Sequence, residues 1–93
     1  MPSSGADSQV VTLRYFAWVR EAIGRSEERL SLPSFLITVA DVVHWLRARG
    51  PEYEVAFQKP DAIRVALDHV HAKPDAHILG VREIGFFPPI TGG

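Results

Sequence analysis

At 93 residues, with 46% hydrophobic and 23% charged side chains, the chain has the composition of one small folded domain. A formal net charge of −1 argues against nucleic acid as the main partner, and there is neither a membrane-spanning apolar run nor a signal-peptide pattern, so a cytoplasmic protein is expected. There is no cysteine, which removes disulfides, thiolate zinc sites and side-chain persulfides; sulfur or acyl chemistry would have to run through the chain's own carboxylate.

Residues 1–9, with Pro2, Ser3, Ser4 and Gly5, read as a disordered lead-in, residues 10–88 as the folded domain and 89–93 as a flexible tail. Val10 to Phe16 alternates as a first strand, with Val11, Leu13 and Tyr15 on one face and Thr12, Arg14 and Phe16 on the other. Trp18 to Ile23 has helical spacing and ends at Gly24. Glu27 to Leu32 forms a second strand, with Leu30 and Leu32 inward and Pro33 closing it. The main helix follows: Thr38 is its N-cap, Asp41 suits its positive end, and Val39, Val42, Val43 and Leu46 make its apolar face. Gly50 fits the position after its end, and Pro51 prevents continuation. Glu52 to Phe57 adds a short helix packing through Tyr53 and Phe57.

Pro60 breaks the chain before a third strand, Ile63 to Asp68, with Ile63, Val65 and Leu67 inward. A brief strand around Val70 and a turn at Lys73-Pro74-Asp75 precede the last strand, Ile84 to Phe87. One main helix over one face of a mixed four- to five-stranded sheet is α+β architecture. The open face then carries Arg14, Phe16, Arg64, Ala66, Gly85 and Phe87, and Gly85 leaves a shallow place beside Phe87 where a partner can bury that ring. Arg14 and Arg64 can meet an acidic partner surface. His69 and His71, two apart on a strand, would face one side, with His77 further on; no fourth metal ligand is evident, so no metal site is assigned. Trp18 and Trp45 read as packing residues, and no nucleophile, base and acid assemble into a catalytic constellation.

The chain ends Phe86-Phe87-Pro88-Pro89-Ile90-Thr91-Gly92-Gly93. The prolines form a stiff extended stalk, and two residues without side chains can thread a narrow channel, leaving the Gly93 carboxylate as the reactive group. With Tyr15-Phe16-Ala17, Arg20-Glu21, Gly24, Thr38-Val39-Ala40-Asp41 and Trp45-Leu46, these residues resemble the small, sulfur-carrying subunit of molybdopterin synthase, a ubiquitin-like β-grasp family. Leu79-Gly80-Val81-Arg82-Glu83 departs from the acidic turn usual there.

That resemblance implies a cycle in which an adenylating enzyme similar to the ubiquitin-activating enzymes uses ATP on Gly93. A sulfur donor makes the thiocarboxylate, and the tail enters a large subunit, assembled with it as a heterotetramer, and gives its sulfur to the cyclic pyranopterin monophosphate bound there, a step of molybdenum cofactor biosynthesis. It implies that Gly92 belongs to the reacting tail, that Phe16, Phe87, Pro88, Pro89, Ile90 and Thr91 contact partners, and that this chain binds no cofactor of its own. Two other readings stay open. One is a sulfur carrier for thiazole formation or tRNA thiolation; the other is a ubiquitin-like tag joined to lysines. With only Lys59 and Lys73 in the chain, building chains on itself would be limited.

Overall fold

The computed structural model describes residues 8–89. Five strands, β1 (Ser8–Tyr15), β2 (Glu27–Pro33), β3 (Arg64–Leu67), β4 (Val70–Ala72) and β5 (Glu83–Phe87), form one sheet in the order β2-β1-β5-β3-β4. β1 pairs in parallel with β5 at the centre, Leu13 opposite Ile84 and Tyr15 opposite Phe86, and every other pairing is antiparallel. The last strand therefore lies beside the first. That places residues 88 and 89 at the same end of the sheet as Phe16.

Three helices pack on the sheet face that carries Val11, Leu13, Tyr15, Val65, Ile84 and Phe86: α1 (Ala17–Ile23), α2 (Val39–Arg47) and α3 (Pro51–Ala56). The sequence pattern predicts one main helix there. The other two join the same core because α1 contributes Val19 and Ile23, and α3 contributes Tyr53 and Ala56. At the centre of the core Phe86 meets Phe57 edge-on, with centroids 5.1 Å apart, and stacks on Tyr15 at 6.0 Å. These contacts bury a large apolar area in few side chains, which a domain of this size needs.

Local signals set the helix ends. Thr38 Oγ1 accepts from the Asp41 N–H at 3.3 Å, and Asp41 Oδ2 accepts from the Thr38 and Ile37 N–H groups at 3.0 and 2.9 Å, a reciprocal cap. Those backbone donors, Ile37 first, hold the Asp41 carboxyl below its ordinary range. Gly24, at φ 90, ends α1 in the left-handed conformation that glycine adopts freely. Gly50 does not play that part for α2. Ala48 is the C-cap, and Gly50 is extended, standing before α3 as its N-cap with Pro51 in the first turn.

Several boundaries move. β1 begins at Ser8, pairing with Pro33, so Ser8 and Gln9 belong to the sheet and not to the lead-in. Phe16 is the N-cap of α1 and no longer part of the strand. His69 lies in a turn, because Asp68 and His69 both have positive φ (48 and 72) between the paired Leu67 and Val70, the geometry of a two-residue hairpin. Asp68 offsets that strain by accepting from the Arg82 and Glu83 N–H groups at 3.0 and 2.9 Å. His69 and His71 therefore do not stand on one strand face.

Candidate functional site

Strand alternation puts Ile84 and Phe86 into the core, both fully buried, and turns Phe87 to the open face, where it is half-buried. Phe16 stays beside β5 although it has left the strand, because its N–H donates to the Phe86 carbonyl at 3.1 Å. Its ring lies over Gly85, so that a methyl group there would stand 3.5 Å from Phe16 Cε2. The shallow place expected next to Phe87 is therefore filled from within the chain, and Gly85 is buried by its own neighbour.

Phe16 and Phe87 meet edge-on, with centroids 6.5 Å apart at 80°. On the other side of Phe87 the His71 ring stands 5.4 Å away at 69°. The sheet register explains this neighbour: His71 pairs with Ala66, Ala66 with Gly85 and Gly85 with Arg14, so all four share a row on the open face. Only the β3–β4 hairpin register reveals His71, which sequence alone missed. The Arg14 guanidinium carbon lies 5.8 Å from the Phe16 centroid, and Arg14 also reaches Glu27 at 3.8 Å and Glu83 at 4.0 Å. Arg64, opposite Phe87, is exposed and has no ion-pair partner among the described residues. Of the two arginines expected to meet a partner, Arg64 and not Arg14 is the one without an ion pair among the described residues.

Immediately after Phe16, Ala17 takes φ 54, a conformation that costs a non-glycine residue roughly 1 kcal/mol. This tight reversal brings α1 back over the sheet end. It leaves Trp18 41% exposed beside Phe16, which is 40% exposed, so Trp18 is not the packing residue it resembled in sequence. Trp45 is half-buried beneath the Arg49 guanidinium at 5.3 Å. β5 runs directly into Pro88 and Pro89, both half-buried, while Ile90, Thr91, Gly92 and Gly93 lie outside the described residues.

The covered face holds one buried polar device. Glu28 Oε2 accepts from the Tyr15 hydroxyl at 2.7 Å and the Tyr53 hydroxyl at 2.6 Å, and Arg25 pairs with Oε1 at 3.1 Å. Burial first, then the Glu28 carboxylate, raises both phenols above their ordinary value. This network ties β1, β2 and α3 together beneath the open face. No three His, Cys, Asp or Glu side chains gather to hold a metal among the described residues. No helix among them is long and apolar enough to cross a membrane.

Solved structures share this architecture. Small archaeal modifier protein 1 from Haloferax volcanii superposes with a TM-score of 0.67 at 21% identity, over 91% of this chain and all of that one. A Pyrococcus furiosus protein described as molybdopterin converting factor, subunit 1, gives 0.67 at 24% identity, covering 87% of this chain and 98% of that one. The small archaeal modifier protein 1 of Methanosarcina acetivorans gives 0.58 at 26% identity, covering 92% and 98%. No curated protein sequence matches significantly. These neighbours establish the ubiquitin-like β-grasp fold, and the ThiS family profile matches residues 13–93, nearly the whole described domain and the Gly-Gly end. The chain belongs to the ThiS family of ubiquitin-like sulfur carriers.

Proposed function

We propose that this chain is the sulfur-carrying small subunit of a molybdopterin synthase, with Gly93 as the carrying residue. The observation that supports it best is the junction at the end of β5. An aromatic surface of Phe16 and Phe87, flanked by Arg64, leads directly into Pro88 and Pro89 and, in sequence, into Ile90-Thr91-Gly92-Gly93. The surface docks a partner and the stalk directs the tail into it. A carboxylate is a poor electrophile, so an adenylating enzyme first joins the Gly93 carboxylate to AMP from ATP, releasing pyrophosphate. A sulfur donor then displaces AMP to leave a thiocarboxylate. In a heterotetramer with this chain the large subunit binds cyclic pyranopterin monophosphate, and the thiocarboxylate gives its sulfur to that pterin; the small subunit itself holds no cofactor.

The test is the intact mass of the protein after incubation with an adenylating enzyme, ATP and a sulfur donor. Exchange of one oxygen for sulfur at Gly93 is expected, and none when a residue is appended after Gly93. Thiocarboxylation of the appended variant without trimming would contradict the carboxylate mechanism. Replacing Pro88 and Pro89 with glycine slows transfer from preloaded protein, since a loose stalk must be ordered at about 1 kcal/mol or more per residue. A second reading, a protein modifier, is favoured by the neighbour at 26% identity, which is named a modifier protein. An isopeptide ladder from Gly93 to target lysines would distinguish it.

A further inference from the structure

Phe87 stands between two rings on the open face. Phe16 closes one side, with centroids 6.5 Å apart, and His71 the other, at 5.4 Å and 69°. His71 comes from β4, the edge strand of the sheet, and is exposed. Two rings with centroids 5.4 Å apart leave no room for a water molecule between them. Partner atoms seated on that side of Phe87 therefore displace water from His71 as well.

The surroundings of His71 decide which protonation form tolerates such a cover. Its register partner on β3 is Ala66, and the charged side chain on the same face of that strand is Arg64. On β5 the carboxylate is Glu83, already held by His69 at 3.6 Å and by Arg14 at 4.0 Å. Lys73 follows two residues after His71. His71 itself has no carboxylate within ion-pair distance among the described residues. A covered imidazolium would lose its water, gain no counter-charge from this chain and keep two cations, Arg64 and Lys73, as neighbours. A covered neutral imidazole loses far less. The contact with Phe87 is present before docking, so it does not change this balance.

We propose that His71 is a contact residue of the surface that docks the large subunit, covered there as the neutral imidazole, so that docking weakens as pH falls. This deepens the function given above and rests on it, since the partner is that reading's large subunit. Histidine changes charge between about pH 5 and 8. In the lower part of that range a proton leaves His71 before the surfaces close, and by reciprocity the proton and the partner oppose each other's binding.

The test is a titration of full-length unaltered chain, His71→Phe and His71→Gln against the large synthase subunit at about pH 7.5 and about pH 5.5, values at which an ordinary imidazole is mostly neutral and mostly protonated. Taking each affinity relative to that of His71→Phe at the same pH cancels groups that titrate on the partner. The unaltered chain is expected to lose about tenfold in this ratio at the lower pH. His71→Gln, which takes up no proton, shows no such loss, so charge and not ring size sets the slope. His69→Asn, a change suited to the turn, keeps the slope of the unaltered chain. A constant ratio, or a ratio that rises on acidification, would overturn the proposal and leave the function in place. Failure of the unaltered chain to bind at either pH would overturn both.

Discussion

The two faces of the sheet are built from the same strands and do opposite work. On the covered face, alternate residues of β1 and β5 are buried against three helices, and Phe86 packs between Tyr15 and Phe57. On the open face the intervening residues of those strands include Arg14, Gly85 and Phe87, with the Phe16 and His71 rings against Phe87, and these rings stay partly in water. Adjacent residues such as Phe86 and Phe87 are thereby separated into a core position and an open-face position, the second of which meets a partner in the proposed function. A one-residue slip of β5 would exchange the two roles.

The sharpest way to break the comparison is Phe86→Ala. Its ring is fully buried between Phe57 and Tyr15, so a loss of roughly 3–5 kcal/mol is expected in denaturant unfolding. Phe87→Ala should cost only about 1 kcal/mol, the worth of edge-on aromatic pairs. If the two losses came out equal, the division of labour between the faces would fail. Thr38→Ala removes the side-chain half of the α2 cap and lowers stability by about 1 kcal/mol, measured in the same melts.

The smallest effect is in alkali. Tyr15 and Tyr53 keep their protons in the folded state above the value of about 10 at which free phenols ionise. The folded state then binds more protons than the unfolded one, so stability is complete below that pH and falls as pH rises through it. Melts across this range should fall less steeply for Tyr15→Phe, which has one such phenol fewer.

Strand alternation and helix caps were legible in the sequence because they are local. Val11, Leu13, Tyr15, Ile84 and Phe86 follow period two, and Thr38 with Asp41 marks a helix start without help from the rest of the fold. Features that depend on register were not legible. Glu28 meets Tyr15 and Tyr53 only because β2 pairs with β1 and α3 covers both. The Phe16 ring reaches Gly85 only because β1 and β5 are parallel neighbours and Ala17 reverses the chain. His71 reaches Phe87 through a hairpin whose Asp68-His69 turn lacks the usual glycine. The assignment of Gly50 to the end of α2 failed because α3 begins there and takes it as a cap.

The central claim is that the open face beside the tail recognises partners without supporting the fold. It is tested most directly by titrating Phe87→Ala and the unaltered protein against the large synthase subunit at a temperature where both are folded. The account predicts binding weakened by about 2 kcal/mol, the loss of a central aromatic anchor. Unchanged affinity in a folded Phe87→Ala protein would contradict it.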